Sequence, residues 1–378
     1  MSNTTKWIVG VVVVVLVVVG VVSATGDEGD QTTNLDEPVK VGAILPLTGP
    51  ASSWAEEVQR GIQLAAEEVG KENVEVIYED SQDQVSQGVS AFKKLNNTND
   101  IDSVITALTS VSSAVCPLAN DAKILQFGVA TWGTSYRSPD DYTFRVDMNV
   151  EDAAESLVSH IENKNYSEVG VIYSQEAFSE DFQQAFKEEF EGSLFFEEGF
   201  SPPDKRDFRT LLTKLKAQES QGADSAVFIA SPCGATIGEI VKQARELGIQ
   251  SDFVSLSTVQ DDSFYDVAGE AGNGLVYVYP YKSNNPQAQS LTEKYQQRFG
   301  EKPQNEYYVG AGYEALRTMM RGYKKCESNN NECVKDALYA MKPFETIFGE
   351  VKFDKYGEIS FRPELRVIEN QESKVLSQ

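Results

Sequence analysis

The sequence predicts an α/β fold made of two doubly wound lobes, preceded by an N-terminal hydrophobic helix. Three observations predict it. Short apolar runs alternate with segments whose apolar residues recur at helical spacing, this alternation restarts after residue 150, and 378 residues suffice for about two domains. Because a helical segment joins each apolar run to the next, the runs are expected to form parallel sheets with helices on both faces.

The first 25 residues indicate the compartment. Residues 7–22 form an apolar run rich in valine, with a single Lys6 before it and three small residues, 23–25, after it. The run is longer than most cleavable signals require and shorter than a span of about 20 residues, so it is an export signal or a membrane anchor, and we favour the anchor. The rest of the chain is expected outside the cytoplasm, in the periplasm or at the cell surface. The acidic, aperiodic residues 26–38 are predicted to be a flexible tether.

The first lobe is predicted to begin with residues 39–45 (VKVGAIL), a nearly continuous apolar run typical of a buried parallel strand. Three further runs have the same character, at residues 74–78, 101–107 and 124–129. The segments between them carry apolar residues three or four positions apart, which predicts helices. These helices are expected around Val58, Ile62, Ala65 and Val69 before Gly70, around Val85, Val89, Phe92 and Leu95, and over residues 112–122.

The same alternation builds the second lobe. Its strands are predicted at residues 169–173, 226–230, 253–256 and 275–279. Helices are predicted where apolar residues recur at helical spacing, within residues 154–161, 182–190, 208–215, 237–247, 291–299 and 308–323. Residues 349–361 (GEVKFDKYGEISF) alternate between polar and apolar side chains and are expected to form a hairpin.

The charge balance excludes some partners. The chain has 33 basic and 58 acidic side chains and a formal net charge of −25, which would repel the phosphate backbone of a nucleic acid. Anionic membrane surfaces are disfavoured for the same reason. Two readings of the charge stay open: a solvated surface that keeps an exported protein soluble and monomeric, and adaptation to a salty medium that screens the repulsion.

Catalytic and metal-binding patterns are sparse. The single histidine, His160, lies within a predicted helix, so the sequence has neither a Ser-His pair nor a histidine-rich metal cluster, and we expect His160 to be structural. Glycine motifs for phosphates or dinucleotides are missing, so no cofactor is expected. Asp261 and Asp262 could serve as an acid and a base, but adjacent acids are common among 58. Enzyme activity, such as that of an extracellular hydrolase, is therefore disfavoured.

Four cysteines in an exported chain permit disulfides. Cys326 and Cys333 flank a polar loop between two helical patterns, so a local disulfide is expected there. Cys116 and Cys233 lie in apolar or glycine-rich surroundings and are predicted to be buried free thiols. The spacing of the four cysteines does not suggest a metal site.

Hydroxyl-rich loops follow three of the predicted strands, at residues 48–54 (TGPASSW), 109–113 (TSVSS) and 130–136 (ATWGTSY). Ligands of open α/β sheets bind beyond the carboxyl ends of the strands, where helix N-termini present free N–H groups. Each loop alone is explained by helix capping and turn formation. Three such loops at one sheet edge favour a site for a ligand carboxylate.

Six motifs occur in a fixed order from residue 39 onward: VKVGAILPLTGPASSWAEEVQRGIQLAAEEV, TSVSSAV, RDFRTLLTKLK, GADSAVFIAS, IVKQARELGI and FGEVKFDKYGEI. In their order and spacing the chain resembles the type I periplasmic solute-binding proteins of the branched-chain amino acid (Leu/Ile/Val) class. The resemblance implies two Rossmann-like lobes joined by a three-strand hinge, a ligand in the interlobe cleft, hinge closure on binding and delivery to an ABC permease. The implied lobes are residues 39–150 with 281–343, and 151–280 with 344–378.

The resemblance also implies ligand contacts at single positions. Trp54 would pack against the ligand, and Thr109 and Ser110 would hold its carboxylate. The remaining implied contacts are Ala130 and Thr131 in the first lobe and Phe178, Cys233 and Ser257 in the second.

One departure from the family pattern bears on the ligand. Relatives that bind amino acids place an acidic residue in the loop that holds Ser257, where it pairs with the ligand ammonium. Here the loop reads LSTVQDD, which leaves Asp261 or Asp262 as the candidate partner. If neither reaches the cleft, a carboxylate without an amine, or an amide, is the better ligand, because an unpaired buried ammonium is costly.

The predicted function is therefore extracytoplasmic capture of a small solute, an amino acid or a related carboxylate or amide, by a monomer that serves an ABC permease. The alternative is a cell-surface sensing receptor subunit of the same fold, whose closure signals to a partner protein. Permease genes beside this one would favour transport, and histidine-kinase genes would favour sensing.

Overall fold

The computed structural model describes residues 35, 37–49, 51–201, 207–219 and 224–376. The predicted N-terminal helix over residues 1–25 lies outside the described residues, and so does most of the predicted tether. Within the described ranges, no helix has both the length and the apolar character needed to cross a bilayer. This part of the chain is built around two parallel sheets.

The first sheet contains the first five strands, all parallel. They are β1 (Val39–Leu45), β2 (Val74–Asp80), β3 (Ser103–Ala107), β4 (Leu125–Val129) and β5 (Thr143–Arg145). The helices between them are α1 (Ser52–Val69), α2 (Val85–Lys94) and α3 (Thr109–Ala122). The order across the sheet is β2-β1-β3-β4-β5, so the connections after β1 and β3 leave in opposite directions and open a crevice at the carboxyl edge.

The second sheet repeats this order as β7-β6-β8-β9-β10. Its parallel strands are β6 (Glu168–Ser174), β7 (Leu194–Phe200), β8 (Ser225–Ala230), β9 (Asp252–Ser255) and β10 (Val276–Tyr279). The helices of this part are α4 (Val150–Asn163), α5 (Ala177–Glu189), α6 (Arg209–Gln218), α7 (Gly234–Glu246) and α8 (Asp262–Ala268). Because the strand order is the same, the crevice of this sheet also lies at its carboxyl edge.

The remaining longer elements follow β10 along the chain. They are α9 (Pro286–Phe299), α10 (Glu306–Cys326), α11 (Asn331–Tyr339), β11 (Phe344–Thr346), β12 (Gly349–Val351), β13 (Glu364–Glu369) and β14 (Glu372–Val375). Helix α10 packs on α1 with the two backbones in contact, since a Cβ added to Gly61 would lie 2.0 Å from Val309 O. Strands β11 and β12 form a hairpin. Strand β13 extends the second sheet antiparallel to β10, and β14 pairs antiparallel with β13.

Burial follows the sequence pattern. Every residue of β3 and β4 is buried, because helices cover both faces of these central strands. The edge strand β2 carries three acidic residues and is mostly half-buried. The chain turns from β5 into α4 at Asn149, whose side chain accepts the Asp152 N–H at 2.7 Å as a helix cap.

The predicted hairpin over residues 349–361 is wrong. The chain does turn there, because Gly357 N–H donates to Asp354 O at 3.2 Å and Asp354 N–H donates to Glu358 O at 2.8 Å. The flanking residues pair elsewhere, however: β12 pairs back to β11, and Glu358 forms a parallel bridge with Arg145 at the end of β5. Alternation predicts an extended segment but not its partner, which here comes from the first sheet.

The cysteine predictions had mixed outcomes. Cys326 and Cys333 form the expected disulfide, which joins the end of α10 to the start of α11. Cys116 is a buried free thiol, as expected. The prediction that Cys233 is buried is wrong, because this residue lies at the surface immediately before α7, where the loop after β8 leaves the sheet.

Candidate ligand-binding site

A direct contact joins the carboxyl edge of the first sheet to a helix of the second. The loop after β4, residues 130–136, meets α5, where Thr134 N–H and Thr134 Oγ1–H both donate to the Asp181 carboxylate at 2.8 and 3.0 Å. Gly133 permits this approach, because a Cβ there would lie 2.5 Å from Thr109 Cγ2 and 3.0 Å from Asp181 Oδ2. The loop after β4, one of the three predicted to hold a ligand, therefore lies where elements of the two sheets meet.

Six aromatic side chains from both sides of this contact form a continuous group, which we call the aromatic cluster. At one end Trp54 of α1 stacks on Tyr308 of α10, with ring centroids 5.1 Å apart. At the other end Trp132 lies 5.8 Å from both Phe178 and Phe182 of α5. Tyr307 connects the two ends, 4.9 Å from Tyr308 and 5.7 Å from Trp132. Such ring pairs stabilise a packing arrangement by about 0.5–1.5 kcal/mol each beyond their buried area.

A chain of buried hydrogen bonds runs beneath the aromatic cluster. Trp132 Nε1–H donates to Tyr307 Oη at 2.9 Å, and Tyr307 Oη–H donates to Asp147 Oδ2 at 2.7 Å. Asp147 is fully buried, and its Oδ1 accepts the Met148 N–H at 2.7 Å. Burial raises the pKa of Asp147 to about 6, against the lowering effects of its bonds to Tyr307 and Met148.

Three predicted ligand contacts of the first sheet lie at its carboxyl edge. Thr109 is half-buried at the first position of α3, and its Oγ1 accepts the Trp132 N–H at 3.2 Å. Ser110 is exposed beside it. Ala130 is half-buried directly after β4 and has a φ of +47°, in the left-handed region, which turns the chain sharply off the strand.

The hydroxyl of Thr131 is engaged within the fold. This residue is fully buried, and its Oγ1 lies 3.0 Å from Val129 O, to which it donates, and 2.9 Å from Ser112 Oγ. A contact from Thr131 to a ligand would therefore use its backbone and not its hydroxyl.

The predicted contacts of the second sheet fall into two places. Phe178 is part of the aromatic cluster. Cys233 and Ser257 lie on the neighbouring loops after β8 and β9, and these loops are joined where Thr258 Oγ1–H donates to Ser231 O at 2.9 Å. Cys233 is exposed and Ser257 is half-buried.

The two candidate acids differ in what their charges act on. Asp261 caps α8, where its Oδ1 accepts the Ser263 N–H at 2.8 Å. Burial raises the pKa of the Tyr308 phenol, and the charge of Asp261 raises it further. The charge of Asp262 instead contributes to the raised pKa of Tyr265, which is due first to burial. Of the two acids, Asp261 is therefore the one whose charge acts on a residue of the aromatic cluster.

The family model for periplasmic binding proteins matches residues 38–360. The chain belongs to this family. Among its curated relatives, Leu/Ile/Val-binding protein homolog 3 of Brucella melitensis biotype 1 is 24% identical over 335 residues, which cover 85% of this chain and 89% of the relative. The resemblance that the ordered motifs indicated, to the branched-chain amino acid class, is confirmed.

Solved structures of periplasmic binding proteins have the same fold. The leucine-binding protein LivK from Thermotoga maritima is 20% identical, with a TM-score of 0.79 over 90% of this chain and 98% of that one. A solute-binding protein of an ABC transporter from R. palustris, in complex with 4-hydroxybenzoate, is 21% identical, with a TM-score of 0.78 over 90% and 96% of the two chains. The predicted two-lobe α/β fold is thereby confirmed, and membership of the family implies an extracytoplasmic location.

The candidate ligand-binding site of this periplasmic binding protein includes residues that the sequence analysis did not single out. Tyr307, Tyr308 and Asp147 were missed, and so was the pair of Thr134 and Asp181. The loop containing Thr134 was recognised by its hydroxyls, and two adjacent tyrosines at the start of a helix were a visible signal. Asp147 and Asp181 carried no signal, because 58 acidic residues give no reason to choose either.

Two surface cavities of the periplasmic binding protein are lined by residues outside the candidate site. One, of about 340 Å³, is lined by Asn149, Lys352 and Ser360 among others, and one of about 210 Å³ is lined by Lys294 and Tyr313 among others. Neither includes a predicted ligand contact. The rings of the aromatic cluster occupy the space between the predicted contacts Trp54 and Phe178.

Within the described ranges of this periplasmic binding protein, no three His, Cys, Asp or Glu side chains are grouped so as to hold a metal ion. His160 is buried in α4, and its burial lowers its pKa. A buried, neutral histidine on a helix fits the structural role expected for it.

Proposed function

We propose that this protein is the extracytoplasmic substrate-binding component of an ABC transporter and that it captures a small carboxylate between its two lobes. The contact between Thr134 and Asp181 is the main observation that supports this proposal, because it closes the carboxyl edge of the first sheet against a helix of the second. Membership of the periplasmic binding protein family supports the same conclusion. The proposed lobes are residues 39–150 with 281–343, and 151–280 with 344–378.

The proposed motion is a rotation about the segments that pass between the sheets. Two of these segments are tied together by Arg145, a fully buried residue at the end of β5 whose guanidinium pairs with Glu358. A pair of buried charges resists separation, because removing either partner leaves the other unpaired. A ligand that contacts both lobes then favours the closed arrangement by the difference in its affinity for the closed and open states.

The ligand carboxylate is proposed to lie at the N-terminus of α3. The Thr109 hydroxyl accepts a bond from Trp132 N–H, which leaves its own hydrogen available as a donor. Ser110 offers an exposed hydroxyl beside the free N–H groups of the first helical turn. The other proposed contacts are Trp54, the backbone of Ala130 and Thr131, Phe178, Cys233 and Ser257.

Two ligand classes make different demands on the site. An amino acid such as leucine needs an acid for its ammonium, and Asp261 is proposed for this role, since its charge acts on Tyr308 of the aromatic cluster. An aromatic carboxylate such as 4-hydroxybenzoate needs ring faces to stack on, and the aromatic cluster offers them. LivK of T. maritima is named for the first class, and the R. palustris protein binds a member of the second.

The proposed partner is an ABC permease, and the protein is proposed to act as a monomer that binds without catalysis. It is held at the outer face of the membrane by residues 1–25 or released by their cleavage. In the sensing alternative the same closure would be read by a receptor. Co-purification with a permease supports transport, and co-purification with a membrane kinase alone supports sensing.

A thermal-shift screen tests the binding function. Leucine, 4-hydroxybenzoate and short amides are added to the full chain, with leucinol and 4-hydroxybenzamide as matched compounds that lack the carboxylate. Ligand at one hundred times its Kd stabilises a protein by about 2.7 kcal/mol, so a carboxylate that binds raises Tm and its matched compound does not. Equal shifts for both compounds of a pair contradict the carboxylate site, and chemical turnover of a bound compound contradicts pure binding.

A further inference from the structure

We infer that Asp147 is a positioning residue, which acts through Tyr307 to fix the indole of Trp132 and, through it, the ring of Phe178. The inference rests on the proposed binding function, because Phe178 is a proposed ligand contact. It adds residues that would not touch the ligand but would determine the shape of the surface that does.

The first step of the argument is the direction of the hydrogen bonds. An indole N–H can only donate, so Trp132 needs an acceptor, and Tyr307 Oη provides it at 2.9 Å. The Tyr307 hydroxyl has one hydrogen of its own, which it donates to Asp147 Oδ2 at 2.7 Å. A carboxylate in that position accepts only, which orients the hydroxyl with its lone pairs toward Trp132.

The second step is burial. Asp147 is 0% exposed, Tyr307 1% and Trp132 5%, so water does not compete for these bonds. Leaving a buried donor without an acceptor is unfavourable, so the Trp132 indole does not readily rotate away from Tyr307. The arrangement therefore restricts Trp132 to one orientation.

The third step concerns the residue that the oriented Trp132 indole contacts. Trp132 lies in the loop of the first sheet that contains Ala130 and Thr131, and its ring is 5.8 Å from that of Phe178 on α5. The contact spans the two sheets, so it forms as the proposed lobes approach each other. Asp147 follows β5 in the segment that leads from the first sheet into α4, which places the start of the chain of bonds at the proposed hinge.

The experiment compares Tyr307→Phe and Asp147→Asn with the wild type and with a matched control, Tyr323→Phe. The control removes the hydroxyl of another fully buried tyrosine, whose bond to Asn331 Oδ1 at 2.7 Å is remote from Trp132. The first measurement needs no ligand: it is the emission of Trp132 in a full chain whose Trp7 and Trp54 are changed to Phe. The second is the Kd for leucine and for 4-hydroxybenzoate in chains that keep all three tryptophans.

Tyr307→Phe is expected to shift the Trp132 emission maximum and to raise Kd about tenfold, the effect of losing one hydrogen bond that orients a contact. Asp147→Asn keeps an acceptor for Tyr307 and is expected to give a smaller change in both measurements. Tyr323→Phe is expected to change neither. Wild-type emission in both Tyr307→Phe and Asp147→Asn overturns the positioning role, and if Tyr307→Phe does not fold, Asp147→Asn decides alone. If neither compound binds the wild type, the proposed ligands are wrong while the emission still tests the positioning.

Discussion

Hydroxyl side chains at the carboxyl edge of the first sheet divide into two groups. Ser112 and Thr131 are fully buried and bonded to each other, so they hold α3 against the loop after β4. Thr109 and Ser110 lie at the start of α3, before Ser112. Thr109 is half-buried and Ser110 is exposed. The second group is therefore the one that a ligand can reach, and substitutions in the two groups should have different consequences.

At the proposed carboxylate site, Trp54→Ala and Ser110→Ala are each expected to abolish the ligand-induced rise in Tm while the protein still folds. Trp54→Ala removes a half-buried ring that stacks on Tyr308, which lowers stability by about 1 kcal/mol beyond the loss of its buried area. Ser110 is exposed, and its loss changes stability by less than about 0.5 kcal/mol. Differential scanning fluorimetry with and without ligand measures both effects. Thr131→Val, which removes a buried and bonded hydroxyl, is the contrast: it should lower Tm without removing the shift. Retention of the shift in both Trp54→Ala and Ser110→Ala would show that these residues are not the ligand contacts.

Asp147 gives a prediction for stability against pH. Its pKa is raised by burial from 3.8 to about 6, so the folded chain holds this proton more tightly than the unfolded chain. The unfolded state therefore loses the proton first as pH rises, and the free energy of unfolding falls between about pH 4 and pH 6, by about 3 kcal/mol at about 1.36 kcal/mol per pKa unit. The Asp147→Asn variant has no such proton. The measurement is the difference in urea-unfolding free energy between wild type and variant, and about half of the change should appear above pH 5, away from the isoelectric point near 4.5. A difference that stays constant from pH 5 to pH 7 contradicts the raised pKa.

At the scale of elements, the sequence predicted the alternation of strands and helices and most of their positions, because buried parallel strands and amphipathic helices have distinct apolar periods. It missed β5, β7, β11, β13, β14 and α8. Strand β5 has three residues, and β7 (LFFEEGF) is partly exposed at the sheet edge, so neither shows a clear period. The pairing of strands was harder to predict than their positions, as residues 349–361 show, because a strand's partner depends on contacts distant in sequence. The site was predictable as a set of loops, whereas the residues that α10 contributes depend on its packing against α1.

That packing gives a prediction for Gly61. A Cβ added there would meet three backbone atoms of α10, Val309 O at 2.0 Å, Val309 C at 2.9 Å and Tyr313 N at 3.0 Å, and backbone cannot rotate away as a side chain can. Gly61→Ala is therefore expected to lower the free energy of unfolding by about 3 kcal/mol, despite the better helix propensity of alanine. Ser53→Ala, at an exposed position of the same helix, is the control and should change stability by less than about 0.5 kcal/mol. Equal stability of the two variants in urea unfolding would contradict the close backbone contact.

For the whole molecule, the contact of Thr134 with Asp181 predicts an effect on closure. Asp181→Ala removes the acceptor of both hydrogen bonds and is expected to favour the open arrangement, which raises the radius of gyration without ligand in small-angle X-ray scattering. Because a ligand must then supply the closing free energy, its Kd should rise about tenfold for a loss of about 1.4 kcal/mol. Glu180→Ala removes a neighbouring exposed acid and should leave both quantities unchanged. An unchanged scattering curve for Asp181→Ala would mean that the contact does not control closure.

The net charge of −25 predicts how the whole protein responds to salt. If the acidic surface is an adaptation to a salty medium, raising KCl from about 0.1 M to about 2 M shortens the screening length to a few ångströms and increases stability. Surface ion pairs such as Lys214 with Glu198, at 2.7 Å, weaken over the same range, but each contributes at most about 1 kcal/mol. Thermal unfolding across the salt series measures the balance. A Tm that does not rise with salt contradicts the adaptation and leaves the acidic surface as a means of solubility.

The exposure of Cys233 makes the protein suited to chemical labelling at a single position. Of the four cysteines in the sequence, Cys326 and Cys333 are joined to each other and Cys116 is buried, which leaves Cys233 as the thiol that a maleimide dye can reach in the folded state. Cys233 lies immediately before α7 and is itself a proposed ligand contact, so a bound solute would shield its thiol from the dye. The rate of labelling would then report the arrival of a solute, in a chain whose natural sequence is unchanged.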